Sequence, residues 1–363
     1  MLIRTKPLLT LFPPVVTLIM ACNDRPLPVD ESDPVEADTE NTAATITAVP
    51  TTVYLFSDGS GGYATLEAAI EGVPPNSTII LDTGQYELSA PLLITKSLTI
   101  QGAGVDLTTV SNSTGGRSVV EFDSDYLTIQ DISFERKGEF ANNIMLIFGG
   151  EVKLENCKLS GGSAAQDDSI TGDGLWLKND TVATVKNCQI ENNMGAGIIV
   201  ANNVVATIDQ ITCSNNQVGI AFGGESVGEI KNSNCSNNQT WGIYIINSAQ
   251  VDIINNTIKN NGSVGIQFKL DRAGGEVRDN VLARNHLSVS GGGTDIQIWE
   301  EFSPTLIGNS CDGSGRSVFG GDTNGIVFIA RGSLPTNPVL ERNSCKIANC
   351  STPTGSLLSL ECE

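Results

Sequence analysis

The sequence predicts an all-β solenoid, in which one chain winds through roughly ten coils of parallel strands. Two strand motifs alternate along most of the chain at a near-constant spacing. No helical hydrophobic period separates the copies. Short, evenly repeated strand motifs of this kind are typical of a solenoid, in which each repeat packs only against its neighbours.

The first motif is a small residue followed by alternating apolar positions. Its first five copies start 23, 22, 23 and 23 residues apart, and the last two gaps are 30 residues each. The copies begin at Gly174, Gly197, Gly219, Gly242, Gly265, Asp295 and Gly325. Because alternate side chains of a strand point to opposite faces, the apolar positions of each copy are expected to face the core.

The second motif lies between copies of the first and ends in Asn, Cys, Ile or Ser. Its copies run over 152–157, 183–188, 206–211, 228–233, 251–256 and 275–280. Two strands per repeat are therefore expected. A propeller blade would need about 40 residues and four strands, so that alternative fails.

Asparagines recur at two positions of the repeat, and both sets are predicted to be architectural. The first set is expected to stack in a side-chain hydrogen-bond ladder at a turn. It comprises Asn156, Asn187, Asn232, Asn255 and Asp279. The second set suits a tight bend, since Asn tolerates the left-handed conformation. It comprises the pairs 192–193, 215–216, 237–238 and 260–261.

The segment 58–70, followed by Gly84-Gln85-Tyr86-Glu87 and Leu98-Thr99-Ile100-Gln101-Gly102, resembles the opening of pectinesterases and related proteins. The resemblance is to the pectin-lyase-like superfamily of right-handed single-stranded parallel β-helices, and it covers nearly everything after about residue 52. It implies that a helix with Leu66, Ala69 and Ile70 on its apolar face plugs the N-terminal end, where the solenoid core would otherwise be open.

Cysteines follow the repeat as well. Cys157 and Cys188 share one position, and a second position holds Cys213, Cys235, Cys311 and Cys345. Leu or Ile replaces Cys at the second position in other coils, so these side chains are predicted to point inward as small hydrophobes. Near the C-terminus, Cys345, Cys350 and Cys362 are placed to cross-link a cap, with their pairing left open.

The N-terminal segments predict export. Arg4 and Lys6 precede a short apolar stretch, and Ile19-Met20-Ala21-Cys22 resembles the lipobox of bacterial lipoproteins. The resemblance implies a signal peptide over 1–21 and a lipid on Cys22, which would anchor the protein to the cell envelope facing the periplasm or the exterior. An ordinary signal peptide cut near Ala21 is the alternative.

Residues 22–50 are predicted to be an acidic flexible tether, and residues 51–363 form the β-helix domain. The tether is rich in Asp, Glu, Pro and Thr and has no aromatic residue. The whole chain carries 41 Asp and Glu against 21 Lys and Arg, a formal net charge of -20. A nucleic-acid partner is therefore not expected, because no basic surface is available to bind phosphates.

The outward positions of the first motif carry the candidate binding residues. Aromatic rings can stack on sugar rings, while Gln supplies hydrogen bonds. The candidates are Trp176, Tyr244, Gln267, Gln297 and Trp299. Ordinary packing of outward aromatics under loops is the alternative.

The resemblance implies a polysaccharide as the partner and assigns candidate catalytic roles. In a lyase of this superfamily, Lys269, Arg272 or Arg331 would be the base that removes a proton from a uronate. Asp271, Glu300 and Glu301 would hold Ca²⁺. The alternative to these catalytic and metal-binding roles is that the charged residues only solvate a turn. A second candidate site is an upstream cluster of charged residues, which comprises Asp167, Asp168, Asp173, Lys178 and Asp180.

The sequence departs from the catalytic motifs of two branches of the superfamily. The Gly-His-Gly segment and paired Asp of polygalacturonases are absent, and so are the active-site segments of pectinesterases. The resemblance therefore implies a surface protein that binds a polysaccharide, with lyase-type β-elimination as the expected reaction if the protein is an enzyme. A non-catalytic adhesin or envelope structural module is the alternative.

Overall fold

A computed structural model describes residues 48–166, 171–269, 273–285, 294–299, 304–311, 325–330, 339–351 and 361–362. The chain from residue 48 onward forms one compact unit of three sheets, named A, B and C here. From Ser77 to Ala330, the strands run through sheets A, B and C in turn ten times. Successive strands within each sheet pair in parallel and in register, so the predicted parallel β-helix is confirmed.

The strand bounds follow the coils. Sheet A contains Thr52–Leu55, Ser77–Leu81, Leu98–Gln101, Tyr126–Gln130, Glu151–Glu155, Val182–Lys186, Val205–Asp209, Val227–Lys231, Gln250–Ile254, Glu276–Arg278, Thr305–Ile307 and Val339–Glu341. Sheet B contains Gly84–Leu88, Thr108–Asn112, Ser133–Arg136, Lys158–Ser160, Gln189–Glu191, Thr212–Ser214, Asn234–Ser236, Thr257–Lys259, Val281–Ala283 and Ser310–Cys311. Sheet C contains Leu92–Ile94, Ser118–Phe122, Asn143–Ile147, Leu175–Leu177, Ala196–Val200, Val218–Phe222, Trp241–Ile246, Val264–Lys269, Thr294–Trp299, Gly325–Ala330, Lys346–Ser351 and Glu361–Cys362, the last of which pairs antiparallel.

The helix spans Leu66–Gly72 and buries Leu66, Ala69 and Ile70, as predicted. Thr65 caps its N-terminus, because the Thr65 Oγ1 accepts a hydrogen bond from the Ala68 N–H at 3.2 Å. The helix therefore packs its apolar face on the core ahead of the first complete coil.

Each coil has three strands, where the sequence predicted two. The strands of sheet B are mostly three residues long, as in Gln189–Glu191, and left-handed residues flank them. Asn187 (φ 52°) and Asn192 (φ 59°) bend the chain on either side of that strand. Three residues are too few to produce a recognisable alternation, which is why the sequence missed this sheet.

The two asparagine sets exchange their predicted roles in part. The first set occupies left-handed bends and forms the predicted ladder in part, since the Asn255 Nδ2 donates to the Asn232 Oδ1 at 2.8 Å and the Asn232 Nδ2 donates to the Asp209 Oδ1 at 2.8 Å. In the second set, the first Asn of each pair makes the bend, and the second is buried in a continuous ladder. This ladder runs through Asn193, Asn216, Asn238, Asn261 and Asn285. Another buried ladder runs through Asn256, Asn280, Asn309 and Asn343.

The small residue of the first motif lies against the Asn ladder. A Cβ on Gly219 would lie 2.3 Å from the carbonyl oxygen of Gly242 and 2.9 Å from the Nδ2 of Asn238. No side chain fits in that space without a backbone shift. At position 219, glycine is therefore required by the close approach of the neighbouring coil.

The cysteines are inward-facing, with one correction. Cys157, Cys188, Cys213 and Cys235 are buried free thiols. Cys311, predicted as a simple inward hydrophobe, forms a disulfide with Cys345. Cys350 and Cys362 are opposite each other in the antiparallel pair at the C-terminal end, and their side chains lie outside the described residues.

Candidate functional site on the outer face of sheet C

The outer face of sheet C presents one row of side chains that is in register across consecutive coils. We define this outer row as Leu93, Glu121, Leu146, Trp176, Ile199, Ala221, Tyr244, Gln267 and Gln297. The strand neighbours of each row residue belong to the hydrophobic core, as Ile198 and Val200 do on either side of Ile199. The row therefore points away from the core, and it contains four of the predicted binding residues.

A cleft of about 320 Å³ opens at the N-terminal end of this face. Its lining includes Leu93, Arg117, Glu121, Asp123 and Phe148. The site thus combines an apolar surface with charges of both signs, which is the composition of a site for a polar ligand with apolar faces.

Arg117 and Glu121 form an ion pair across the cleft wall. The Arg117 Nη2 lies 3.0 Å from the Glu121 Oε2, and the Ser118 hydroxyl donates to the Glu121 Oε1 at 2.7 Å. Partial burial alone would raise the pKa of Glu121, but the hydrogen bonds from Arg117 and Ser118 outweigh it and lower the pKa. Glu121 is therefore ionised at neutral pH and is suited to accept hydrogen bonds rather than to donate a proton.

Two cations lie over aromatic rings beside the cleft. The Arg117 guanidinium carbon is 5.1 Å from the centroid of the Phe148 ring. The Lys178 Nζ is 5.7 Å from the same centroid and 3.7 Å from the centroid of the Trp176 ring. The Lys178 ammonium thus joins the cleft to the next part of the outer row through cation–π contacts.

The middle of the outer row is apolar and closely packed. Tyr244 stacks on Trp241 with a centroid separation of 4.6 Å and an interplanar angle of 14°. Tyr244 is 8% exposed, and burial raises the pKa of its phenol to about 12. Its ring face is therefore engaged by Trp241, and the predicted stacking of a sugar on Tyr244 would need this pair to open.

The C-terminal part of the described row holds a linked group of predicted residues. The Gln267 Nε2 and the Trp299 Nε1 both donate to the Gln297 Oε1, the latter at 2.9 Å. The Lys269 Nζ lies 5.3 Å from the centroid of the Trp299 ring. The Gln267 Oε1 is buried without a hydrogen-bond partner among the residues described. The structure thus places Lys269, Trp299, Gln267 and Gln297 together.

The remaining predicted site residues lie outside the described residues. These are Asp271, Arg272, Glu300, Glu301, Arg331 and the lipidation site Cys22, together with His286, Asp167 and Asp168. The suggested Ca²⁺ ligands are among them. Within the part of the chain that the structure describes, no group of three or more His, Cys, Asp or Glu side chains could hold a metal ion.

Asp173, from the second candidate cluster, is fully buried rather than presented to solvent. Burial raises the pKa of its carboxyl to about 6, against the opposing effects of hydrogen bonds from Thr171 and the Ala196 N–H and of the nearby Lys178. The Ala196 N–H donates to its Oδ1 at 2.7 Å. These contacts join neighbouring coils, so the role of Asp173 is structural.

Sequence reasoning missed the N-terminal cleft. Glu121 lies in the strand Ser118–Phe122 and Arg117 directly precedes it; this coil has Val119 where the other copies have the leading small residue, so the motif is not recognisable there. The sequence feature that could have indicated this cleft is a carboxylate between two apolar residues, as in Val120-Glu121-Phe122.

The strand order and the family-model match define the chain as a right-handed parallel β-helix. Residues 173–344 match the family model described as the right handed beta helix region. No curated protein sequence matches the chain significantly.

Solved structures share this fold at low sequence identity. The Dettilon tailspike protein matches with a TM-score of 0.50 and 13% identity, covering 80% of this chain and 68% of that one. The pectate lyase Pel9A matches with a TM-score of 0.41 and 13% identity, covering 82% and 80%. ORF18 of Geobacillus virus E2 matches with a TM-score of 0.46 and 12% identity, and covers 85% of this chain; the chain spans 63% of that protein. Identities this low show a common fold and no more.

Proposed function

We propose that this protein binds a polysaccharide along the outer face of sheet C, with the N-terminal cleft as the principal contact region. The observation that carries the proposal is the convergence of Arg117, Glu121 and Phe148 in an open cleft at the N-terminal end of the outer row. An extended sugar chain suits such a surface, because aromatic rings pack on its apolar faces while charged groups bind its hydroxyl or carboxylate groups. The fold of a pectate lyase is consistent with this partner.

Lyase-type β-elimination is the candidate reaction if the protein is catalytic. Lys269, Arg272 or Arg331 would then remove the proton, and Asp271, Glu300 and Glu301 would be the candidates to hold Ca²⁺. Of the proposed bases, Lys269 is described, and its ammonium lies over the Trp299 ring at 5.3 Å from the centroid.

A non-catalytic adhesin or envelope module is the second candidate function, and one observation favours it. The charged and aromatic side chains described on this face contact one another, as Arg117 does with Glu121 and Trp241 with Tyr244. Such mutual pairing is typical of a binding or structural surface and differs from an acid–base site, whose groups have shifted pKa values matched to the reaction.

We also infer that the protein is exported and anchored to the cell envelope through a lipid on Cys22, with residues 22–50 as the tether. A single acyl chain anchors weakly, whereas several together anchor stably. Among the described residues, no helix has the length and hydrophobicity needed to cross a membrane. Metabolic labelling with a fatty-acid analogue tests the inference: Cys22→Ser should abolish labelling, and an unlabelled wild-type chain would refute lipidation.

Binding of the full chain to a panel of pectate, alginate and glycosaminoglycans tests the main proposal. Trp176→Ala should weaken binding to the polymer that the wild type binds, because it removes the ring under Lys178. Tyr126→Ala is the matched control, since Tyr126 is 57% exposed on sheet A, and it should bind normally. Equal loss in both variants, or no binding to any glycan, would contradict the proposal.

The same polymers test catalysis through the ultraviolet absorbance of the unsaturated product. A rise with one polymer in the presence of calcium, lost in Lys269→Ala, would establish a lyase and support Lys269 as its base. Binding without a rise would favour the non-catalytic function.

A further inference from the structure

The internal cysteines occur as pairs on consecutive coils. Cys213 and Cys235 are in-register partners in sheet B. Cys157 and Cys188 occupy equivalent positions on neighbouring coils, because Glu155 pairs with Lys186 and Lys158 with Gln189 on either side of them. The third stacked pair, Cys311 and Cys345, is a disulfide.

This spacing fits the geometry of a disulfide bond. Neighbouring strands of a sheet are about 4.8 Å apart, and disulfides join Cα atoms that are about 4.4–6.8 Å apart. The bonded pair Cys311–Cys345 has a Cα–Cα distance of 4.8 Å. In-register stacking on consecutive coils therefore brings two cysteines within bonding range without a change in coil spacing.

The pairing is not what a simple preference for small hydrophobes predicts. The coils before and after Cys213 and Cys235 hold Ile190 and Ile258 at the same position. A lone cysteine among the aliphatic residues would fill that position equally well. Instead, each described internal cysteine has another cysteine on the adjacent coil.

The Cys157–Cys188 pair is in direct contact. The Cys157 N–H donates to the Cys188 Sγ at 3.4 Å. The side-chain hydrogen bond from Cys157 lowers the pKa of the Cys188 thiol, against the effect of burial. A thiolate is the reactive form in disulfide exchange, so Cys188 is the expected nucleophile of this pair.

We propose that Cys157–Cys188 and Cys213–Cys235 are sites of oxidation to two further cross-coil disulfides of the Cys311–Cys345 type. The oxidant is a small-molecule disulfide such as oxidised glutathione. One protein thiolate attacks that disulfide to form a mixed disulfide and releases one reduced thiol. The second cysteine then attacks the protein sulfur of the mixed disulfide and releases the other reduced thiol, so two protein thiols are oxidised for each disulfide consumed.

The bonds form while the coils assemble, because the thiols of the folded protein are buried. Burial raises the pKa of Cys235 to about 12 and that of Cys213 well above its usual value, so that pair reacts before it is enclosed.

Refolding of the full chain with oxidised glutathione tests the proposal. The denatured product is alkylated without reductant, digested and mapped by mass spectrometry. The expected result is loss of alkylation at all four cysteines, with linked peptides joining 157 to 188 and 213 to 235. The Cys311–Cys345 peptide measures the progress of oxidation in the same sample.

Alkylation of the four cysteines after Cys311–Cys345 has closed would overturn the proposal. Failure of Cys311–Cys345 to close under excess oxidant would overturn it as well, because the shared geometry would then not support a bond. In Cys188→Ala, Cys157 should become alkylated, while the Cys213–Cys235 disulfide should still form. A disulfide between a cysteine of one pair and a cysteine of the other pair would contradict the stacking argument.

Discussion

Asn238 is the central member of the buried ladder, and its replacement tests whether the ladder holds neighbouring coils together. The Asn238 Nδ2 donates to the Cys213 carbonyl at 3.2 Å and to the Asn261 Oδ1 at 3.0 Å. Its Oδ1 accepts from the backbone N–H of Asn216 at 3.1 Å and from the Asn216 Nδ2 at 3.3 Å. One side chain therefore links its own coil to both neighbours.

Asn238→Ala removes these bonds while the surrounding groups stay buried. The Asn216 N–H and the Cys213 carbonyl lose their Asn238 partners, whereas the Asn216 Nδ2 keeps its bond to Ile190 O at 3.0 Å. Each buried group left unpaired costs about 1–3 kcal/mol, so the two together should lower the free energy of unfolding by about 2–6 kcal/mol. Asn238→Leu keeps the volume without the hydrogen bonds and should cost a similar amount.

Urea unfolding of the full chain, followed by circular dichroism, measures this loss as a lower midpoint at unchanged slope. Asn237→Gly is the matched control, because Asn237 is exposed with φ 59°, a conformation that glycine adopts freely. It should lie within about 0.5 kcal/mol of the wild type. If Asn238→Ala were as stable as Asn237→Gly, the ladder would not be what couples the coils.

Three further predictions concern stability. The folded pKa of Asp173, about 6, lies above its usual 3.8, so the fold retains a proton that the unfolded chain releases, and stability falls as pH rises through that window. The free energy of unfolding should fall by about 3 kcal/mol over this pH range. In Asp173→Asn, the free energy of unfolding measured over the same pH range should change little. Gly219→Ala should cost about 1–3 kcal/mol in thermal unfolding, since its Cβ would lie 2.3 Å from a carbonyl oxygen, whereas Gly62→Ala, with nothing within 4 Å, should be neutral. Cys311→Ser should lower the unfolding free energy by about 3–4 kcal/mol, because the Cys311–Cys345 bond closes a sequence separation of 34 residues, and reductant should have no further effect at this bond.

The fold was predictable because the inward positions repeat. In Gly219-Ile220-Ala221-Phe222, Ile220 and Phe222 face the core, and the same pattern returns in the next coil. The sequence could not assign the ladder correctly, since both members of the pair 237–238 are Asn and only the backbone bend at Asn237 decides which side chain turns inward. The Cys311–Cys345 disulfide was not predicted for a similar reason. A cysteine at this inward position can be a core residue, or it can bond to a cysteine at the same position on the next coil, and the sequence alone does not distinguish the two.

The candidate site was less predictable because outward positions need not repeat. An inward side chain must fit the residues above and below it, whereas an outward one is free of that constraint. Lys269 and Trp299 lie together through register alone, since both follow the same motif on consecutive coils. Arg117, Glu121 and Phe148 come from coils that lack the leading glycine, and only the assembled sheet brings them to one cleft.

The same freedom explains why the outer face can differ in charge from the rest of the molecule. The chain has 41 acidic and 21 basic residues. On the outer face of sheet C, by contrast, the cations Arg117, Lys178 and Lys269 accompany the carboxylates Glu121 and Asp123. An anionic chain that approaches this protein is repelled by the net charge, and the cations that it would meet on this face are Arg117, Lys178 and Lys269. For a uronate polymer bound as proposed, these cations would contact its carboxylates, and the apolar and aromatic side chains beside them would add short-range contacts.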